Sequence, residues 1–126
     1  MASNLYTVDC TAMQPYNSPR WSMNLSLRDS FALGRATLTA VADTHFRSAR
    51  NIGFAFLPEQ RVGPTWTSNA QLILSLPASR FELAAFVRNI EGGRVPEFMI
   101  YHPISNALVA GTSRPREIGL RASLRL

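Results

Sequence analysis

Five separate stretches of this chain alternate apolar and polar side chains at a period of two, and helical spacing is poor throughout. Trp21, Met23, Leu25 and Leu27 alternate with Ser22, Asn24, Ser26 and Arg28. Ala36, Leu38, Ala40, Ala42, Thr44 and Phe46 alternate with a set that is polar except for Val41. Trp66, Ser68, Ala70, Leu72, Leu74 and Leu76 form a third run, Phe81, Leu83, Ala85 and Val87 a fourth. Ile118, Leu120, Ala122, Leu124 and Leu126 form the fifth. Successive side chains of a strand point to opposite faces, so each run predicts a strand with one apolar and one polar side. The fold class expected is all-β, an antiparallel meander of about five amphipathic strands.

Charge placement agrees with these faces. Arg28, Arg35, Asp43, Arg47, Arg80, Glu82, Arg88, Glu117, Arg121 and Arg125, within or beside the five runs, all take the polar parity. The joins alternate in length: 29–34 and 77–79 are short, 48–65 and 89–116 are long. In an antiparallel meander, alternate joins lie at the same end, so the long loops share one end and the tight turns the other. Outer-membrane barrels sort their connections in this way. Aromatic residues mark the same two ends: Trp21, Phe46 and Trp66 near the long loops, Phe31 and Phe81 near the turns, all on the apolar parity. Two aromatic rings bounding an apolar belt are how such a barrel meets the two lipid–water interfaces. The residues expected to face lipid are Trp21, Leu25, Leu38, Phe46, Trp66, Leu72, Leu74, Leu83 and Leu120.

Three segments carry a family resemblance. The stretch from Asn17 through Ser18, Pro19, Arg20 and Trp21 to Leu25 resembles the opening of the late strands of TonB-dependent outer-membrane receptors. Residues from Phe81 to Ile90, with the Arg88-Asn89-Ile90 triplet, look like their penultimate strand. The run from Arg114, Pro115 and Arg116 through Gly119 to Leu126 is similar to their closing strand, though the family commonly ends on an aromatic residue. The resemblance covers roughly residues 15–126. It implies that residues 1–126 are the C-terminal portion of a barrel of about 22 strands. Residues 1–20 would then be the remnant of an external loop, and residues 21–126 five strands carrying the long loops 48–65 and 89–116.

What the resemblance implies about function is transport: a receptor that takes up a scarce solute, such as an iron–siderophore complex, using inner-membrane energy. Its partners would be outer-membrane lipid and lipopolysaccharide, the remainder of the barrel and its plug, and, through that plug, the inner-membrane energy-coupling protein. No nucleic acid, cofactor or metal is implied, and the location is the bacterial outer membrane. The chain itself opens without a signal peptide, so a complete chain is expected to remain where it is made.

Thirteen basic residues, all of them arginine, stand against eight acidic ones, giving a net charge of +5. Arginines near an external mouth attract anions, which makes Arg47, Arg50 and Arg94, with Tyr101 in the apolar stretch of the last loop, the candidate ligand-binding residues. No phosphate loop, nucleophile elbow, zinc-protease or EF-hand spacing is present, so an enzyme is not expected. Asp43 and His45 share a polar face and read as solvated lumenal side chains. The lone Cys10 excludes an internal disulfide and a thiolate metal cage. The alternative is a soluble all-β module binding a ligand or an oligonucleotide, which the basic charge favours. Its readers, however, place aromatics among basic residues on one face. Here Phe86 is the exception to aromatics lying opposite the charges.

Overall fold

Alternation of this kind forms strands because each strand leaves its apolar side chains on one face, where neighbours can extend the same surface. The computed structural model describes residues 11, 13–76, 78 and 80–124. The readings placed on Cys10, Arg125 and Leu126 lie outside the described residues. The strands are β1 (Ser22–Leu33), β2 (Ala36–Arg47), β3 (Arg50–Asn51), β4 (Arg61–Val62), β5 (Thr65–Leu76), β6 (Phe81–Arg88), β7 (Pro96–His102), β8 (Ala107–Thr112) and β9 (Glu117–Leu124). A 3-10 turn, Pro58–Gln60, precedes β4. The fold is all-β, and its main sheet is a five-stranded meander in the order β1-β2-β5-β6-β9, antiparallel at every pairing.

Register brings the five apolar parities onto one face. Leu27, Ala42, Ala70, Val87 and Ile118 make one continuous row across the sheet. Asp29, Ala40, Leu72, Ala85 and Leu120 make the next, and Phe31, Leu38, Leu74, Leu83 and Ala122 the one after. A one-residue slip in any pairing would turn a strand's apolar set to the other side. Among the described residues nothing packs over this face: Leu72 is 52% exposed and Leu120 76%. The two buried residues of the main sheet, Thr39 and Ala84, lie on the polar parity, flanking Ile73 in the row Ser30, Thr39, Ile73, Ala84 and Arg121. The polar side is thus the more enclosed of the two, the sense in which a barrel wall curves.

Two sequence expectations need correction. The first strand does not stop at Arg28; it runs to Leu33, and the join shrinks to Gly34 and Arg35. Gly34 has φ 62° and Arg35 keeps a negative φ, the type II′ pattern whose twist matches its flanking strands. Phe31 and Leu33 continue the apolar parity, and Asp29 is what interrupts it. In consequence Asp29 stands on the apolar face, opposite Ala40, its Oδ1 accepting from the Ser30 N–H at 2.8 Å. β1 is an edge strand, the position where a charge blunts unwanted pairing. The second correction concerns the long loops, which are not irregular throughout. β3 and β4 form a two-stranded sheet inside the first, and β7 and β8 one inside the last.

Phe86, the aromatic on the polar parity, has a partner in Gly119. The two are register partners, and a Cβ on Gly119 would stand 2.6 Å from the Phe86 ring. The ring covers the bare glycine backbone, and the Arg88 guanidinium lies 5.0 Å above it. Gly119→Val is expected to destabilise the assembled sheet by about 1–3 kcal/mol, because the ring must leave its site to admit the side chain. A urea midpoint checks this, with Ser123→Val as the control on the same strand and face.

Candidate functional site

The connections at the long-loop end build a cap from three segments, residues 13–20, 48–64 and 89–116. Its centre is Ile52 and Gln60, both 0% exposed. The Ile52 N–H donates to the Gln60 carbonyl at 2.8 Å, and the Met99 N–H donates to the Ile52 carbonyl at 2.8 Å. The Gln60 side chain works in both directions. Its Oε1 accepts from the Leu57 N–H at 3.2 Å, and its Nε2 donates to the Met99 carbonyl at 3.3 Å. A buried amide satisfied on both sides holds the first long loop against the β7–β8 hairpin. Tyr16 stacks on Phe54 at 4.4 Å, and the Asn17 N–H donates to the Asn51 carbonyl at 2.7 Å, which ties in the leading segment.

Asn89 and Glu91 fasten the last loop to the sheet. Asn89 takes a left-handed φ of 52°, a conformation asparagine tolerates. Its Nδ2 donates to the carbonyls of Gly93 at 2.8 Å and Arg114 at 2.9 Å, so both limbs of the loop meet on one side chain. Glu91 accepts from the Ser68 N–H at 2.8 Å and from the Ser68 hydroxyl. The Ser68 hydroxyl bond holds the Glu91 carboxyl below its ordinary 4.5 against the opposing effect of burial, with lesser help from the Ser68 backbone and Arg116. The stability from this clamp is therefore present above pH 4.5 and is lost as pH falls through the lower folded value. Ser68→Ala should move the Glu91 titration back up toward 4.5, read by the carboxyl carbon shift in an NMR titration.

The four candidate ligand residues do not converge. Arg47 ends β2 and donates through Nε to His45 Nε2. Arg50 is 2% exposed and donates from Nη1 to Thr65 Oγ1 at 3.1 Å, while its Nε is buried without a partner among the described residues. Burial, then the neighbouring Arg47, lowers the Arg50 pKa against the opposing pull of Glu97, and the guanidinium stays charged. Arg94 is exposed on the last loop. Tyr101 lies in the β7–β8 hairpin with its hydroxyl donating to Asn106 Oδ1. Arg47 and Arg50 are neighbours; the other two stand apart from them and from each other in the hydrogen bonds they make. Asp43 and His45 turn away from one another, Asp43 to Asn69 at 2.6 Å and His45 to Asn24.

Sequence reasoning missed a cleft of about 660 Å³ between residues 13–21 and 48–61. Gln14, Arg20, Trp21, Asn51, Phe56 and Arg61 are among its lining residues. It forms between two irregular segments, so no periodicity announces it; the one available signal is the Arg20-Trp21 pair at the start of β1. Two other concavities lie on the sheet. The apolar face has a trough of about 630 Å³ floored by Ala40, Ala42, Ala70 and Ala85. The polar face has a smaller one of about 270 Å³ lined by Asp43, Asn69, Arg88 and Arg121. On that face Arg88 pairs with Glu117 at 3.4 Å and Arg121 with Glu82 at 3.8 Å.

No family model, curated protein or solved structure matches the chain. Chemically the arrangement is one of surfaces. Among the described residues no three His, Cys, Asp or Glu side chains gather as a metal site. Ser105 Oγ lies 3.0 Å from His102 Nδ1, but within the exposed β7–β8 turn, where the contact closes the turn.

Proposed function

We propose that this chain supplies part of the wall and two external loops of an outer-membrane β-barrel receptor for energy-coupled uptake of a scarce solute, such as an iron–siderophore complex. The observation that carries the reading is an uncovered apolar face, continuous across all five strands, in a meander whose long connections all lie at one end. A water-soluble sheet covers such a face; a barrel wall turns it to acyl chains. The polar face, with Asp43, Asn69, Arg88 and Arg121, is then lumenal and meets the plug. The cap is the external mouth, and Arg47, Arg50, Arg94 and Tyr101 belong to the surface a solute crosses. The inner-membrane energy-coupling protein would act through the plug, and lipopolysaccharide would surround the outer rim.

The transport role and the TonB-dependent family follow from the three resembling segments, and the sidedness is open to direct test. In a Cys10→Ser background, Ile104→Cys in the β7–β8 turn should react with a membrane-impermeant maleimide on intact cells. Arg35→Cys, in the turn at the opposite end, should react only after lysis. Equal labelling of both, or recovery of the chain in the soluble fraction, overturns the reading and leaves the soluble binding module in its place.

A further inference from the structure

We propose that the outer edge of β8, in the last loop, pairs with the β8 edge of a second copy of this chain, antiparallel about Ala110. The inference goes beyond the barrel reading and does not depend on it, because the β7–β8 hairpin stands outside the main sheet.

Hydrogen-bond direction is the first argument. In an antiparallel hairpin, register pairs that exchange ladder bonds alternate with pairs whose N–H and C=O groups point away from each other. Met99 points away from β8: its N–H donates to the Ile52 carbonyl at 2.8 Å, and its carbonyl accepts from Gln60 Nε2 at 3.3 Å. Its register partner Ala110 therefore turns both backbone groups away from β7, and so does Leu108, opposite Tyr101. At the other end the Ser113 N–H donates to the Val95 carbonyl at 2.8 Å, so Ser113 faces inward and Thr112 outward. Leu108, Ala110 and Thr112 thus form one open edge, and their backbone groups have no partner beyond the hairpin among the described residues.

The second argument is that this edge carries no guard. Edge strands ordinarily keep copies of a chain apart with charges, proline or a bulge. The main sheet follows that rule: its edge strand β1 holds Arg28 and Asp29, and β9 holds Glu117 and Arg121. β8 has neither charge nor proline, and the hairpin's bulge lies on β7, between Pro96 and Phe98, which leaves β8 regular. An edge open to its own copy, with nothing to repel it, is one that self-pairing can use.

The third argument is fit. The outward residues are evenly spaced about Ala110, so an antiparallel copy sets Ala110 against Ala110 and Leu108 against Thr112, with ladder bonds at each of these positions. No like charges meet across the pair. Val109 of one copy then lies opposite Gly111 of the other, beside the Phe98 ring that covers this bare backbone. Phe98, Ile100 and Val109 share that face and are all exposed in the single chain. Pairing joins two such apolar patches into one across a four-stranded sheet.

Disulfide trapping reads the pairing directly. In a Cys10→Ser background the full chain is held in a large excess of neutral-detergent micelles, with strand content checked by circular dichroism. Under a mild copper oxidant Ala110→Cys should give a disulfide-linked dimer, because facing Cα atoms of such a pair lie about 5.5 Å apart, within disulfide reach. Leu108→Cys and Val109→Cys, each more than about 7 Å from its own copy in this register, should cross-link at least about tenfold more slowly. Adding Leu108→Lys and Thr112→Lys to Ala110→Cys sets like charges face to face and should slow trapping by about tenfold. Mixing that variant with one carrying Leu108→Glu, Thr112→Glu and Ala110→Cys should restore it as a heterodimer. No dimer from Ala110→Cys, equal rates at the three positions, or lysines without effect overturns the pairing. Maleimide labelling of the two ends tests the barrel reading separately, whatever the trapping gives.

Discussion

On the proposed barrel reading, Leu72→Arg is expected to destabilise the sheet in lipid by about 2–4 kcal/mol, and Gln71→Arg, one residue away, by less than about 1 kcal/mol. The contrast follows from the pleat. Leu72 lies on the apolar face between Ala40 and Ala85, in a row with further apolar rows on both sides. Its small neighbours leave it 52% exposed, so a guanidinium there enters hydrocarbon with no protein group to meet it. Gln71 lies on the opposite face between Val41 and Phe86, beside Asp43, Asn69 and Arg88 in the polar-face concavity, where an added cation stays hydrated. Leu38→Arg, one row nearer the turns and beside Leu74, belongs with Leu72→Arg. Asp29 shares the Leu72 row but sits on the edge strand, and a carboxylate on a lipid face costs less than an arginine. Reversible urea unfolding in lipid vesicles measures all three variants. Equal losses at positions 71 and 72 would remove lipid from the account of this face.

What the residues disclosed, and what they withheld, divides along the same physical line. Parity is a local property, so Leu38, Leu74 and Leu83 could be put on one face from alternation alone, and they are successive partners in one row. The end of β1 was not legible because Asp29 breaks the pattern that Phe31 and Leu33 resume. β7 was hidden for a different reason. Phe98, Met99, Ile100 and Tyr101 are contiguous apolar residues without alternation, and only Asn106, with φ 51° in the turn, and Gly111, bare beneath Phe98, betray the hairpin. The candidate arginines were chosen by loop position, which says nothing about partners. Arg50 is buried, whereas Arg20 and Arg61, about 40 residues apart in sequence, line one cleft. A cleft made by two irregular segments exists only after the chain has folded, so no window of sequence contains it.

In buffer without lipid or detergent, the isolated chain is expected to sediment as heterogeneous aggregate and to show no cooperative thermal transition. Among the described residues the fully buried apolar side chains are Ile52, in the cap, and Ala84, in the sheet. Hydrophobic burial is the main term that offsets chain entropy, and two such residues supply little of it. The uncovered face, with Met23, Leu25, Leu27, Phe31, Leu72, Ile118 and Leu120 all exposed, exceeds the few hundred Å² that a soluble monomer tolerates. Detergent covers that face but leaves β1 and β9 each paired on one side only, and an unmatched peptide group in hydrocarbon costs several kcal/mol. Copies of the chain cannot close the gap with antiparallel pairing throughout. Four antiparallel pairings make β1 and β9 run in the same direction, so neighbouring copies with their loops on one side would set β9 parallel to β1. An all-antiparallel closure needs an even total, so on the proposed barrel reading the rest of the wall brings an odd number of strands. Ultracentrifugation and calorimetry test the aqueous state, and resistance to heat and detergent on a gel tests for closed barrels. A monodisperse monomer with one sharp melt, or a heat-modifiable homo-oligomer, would falsify this account of what the sheet lacks.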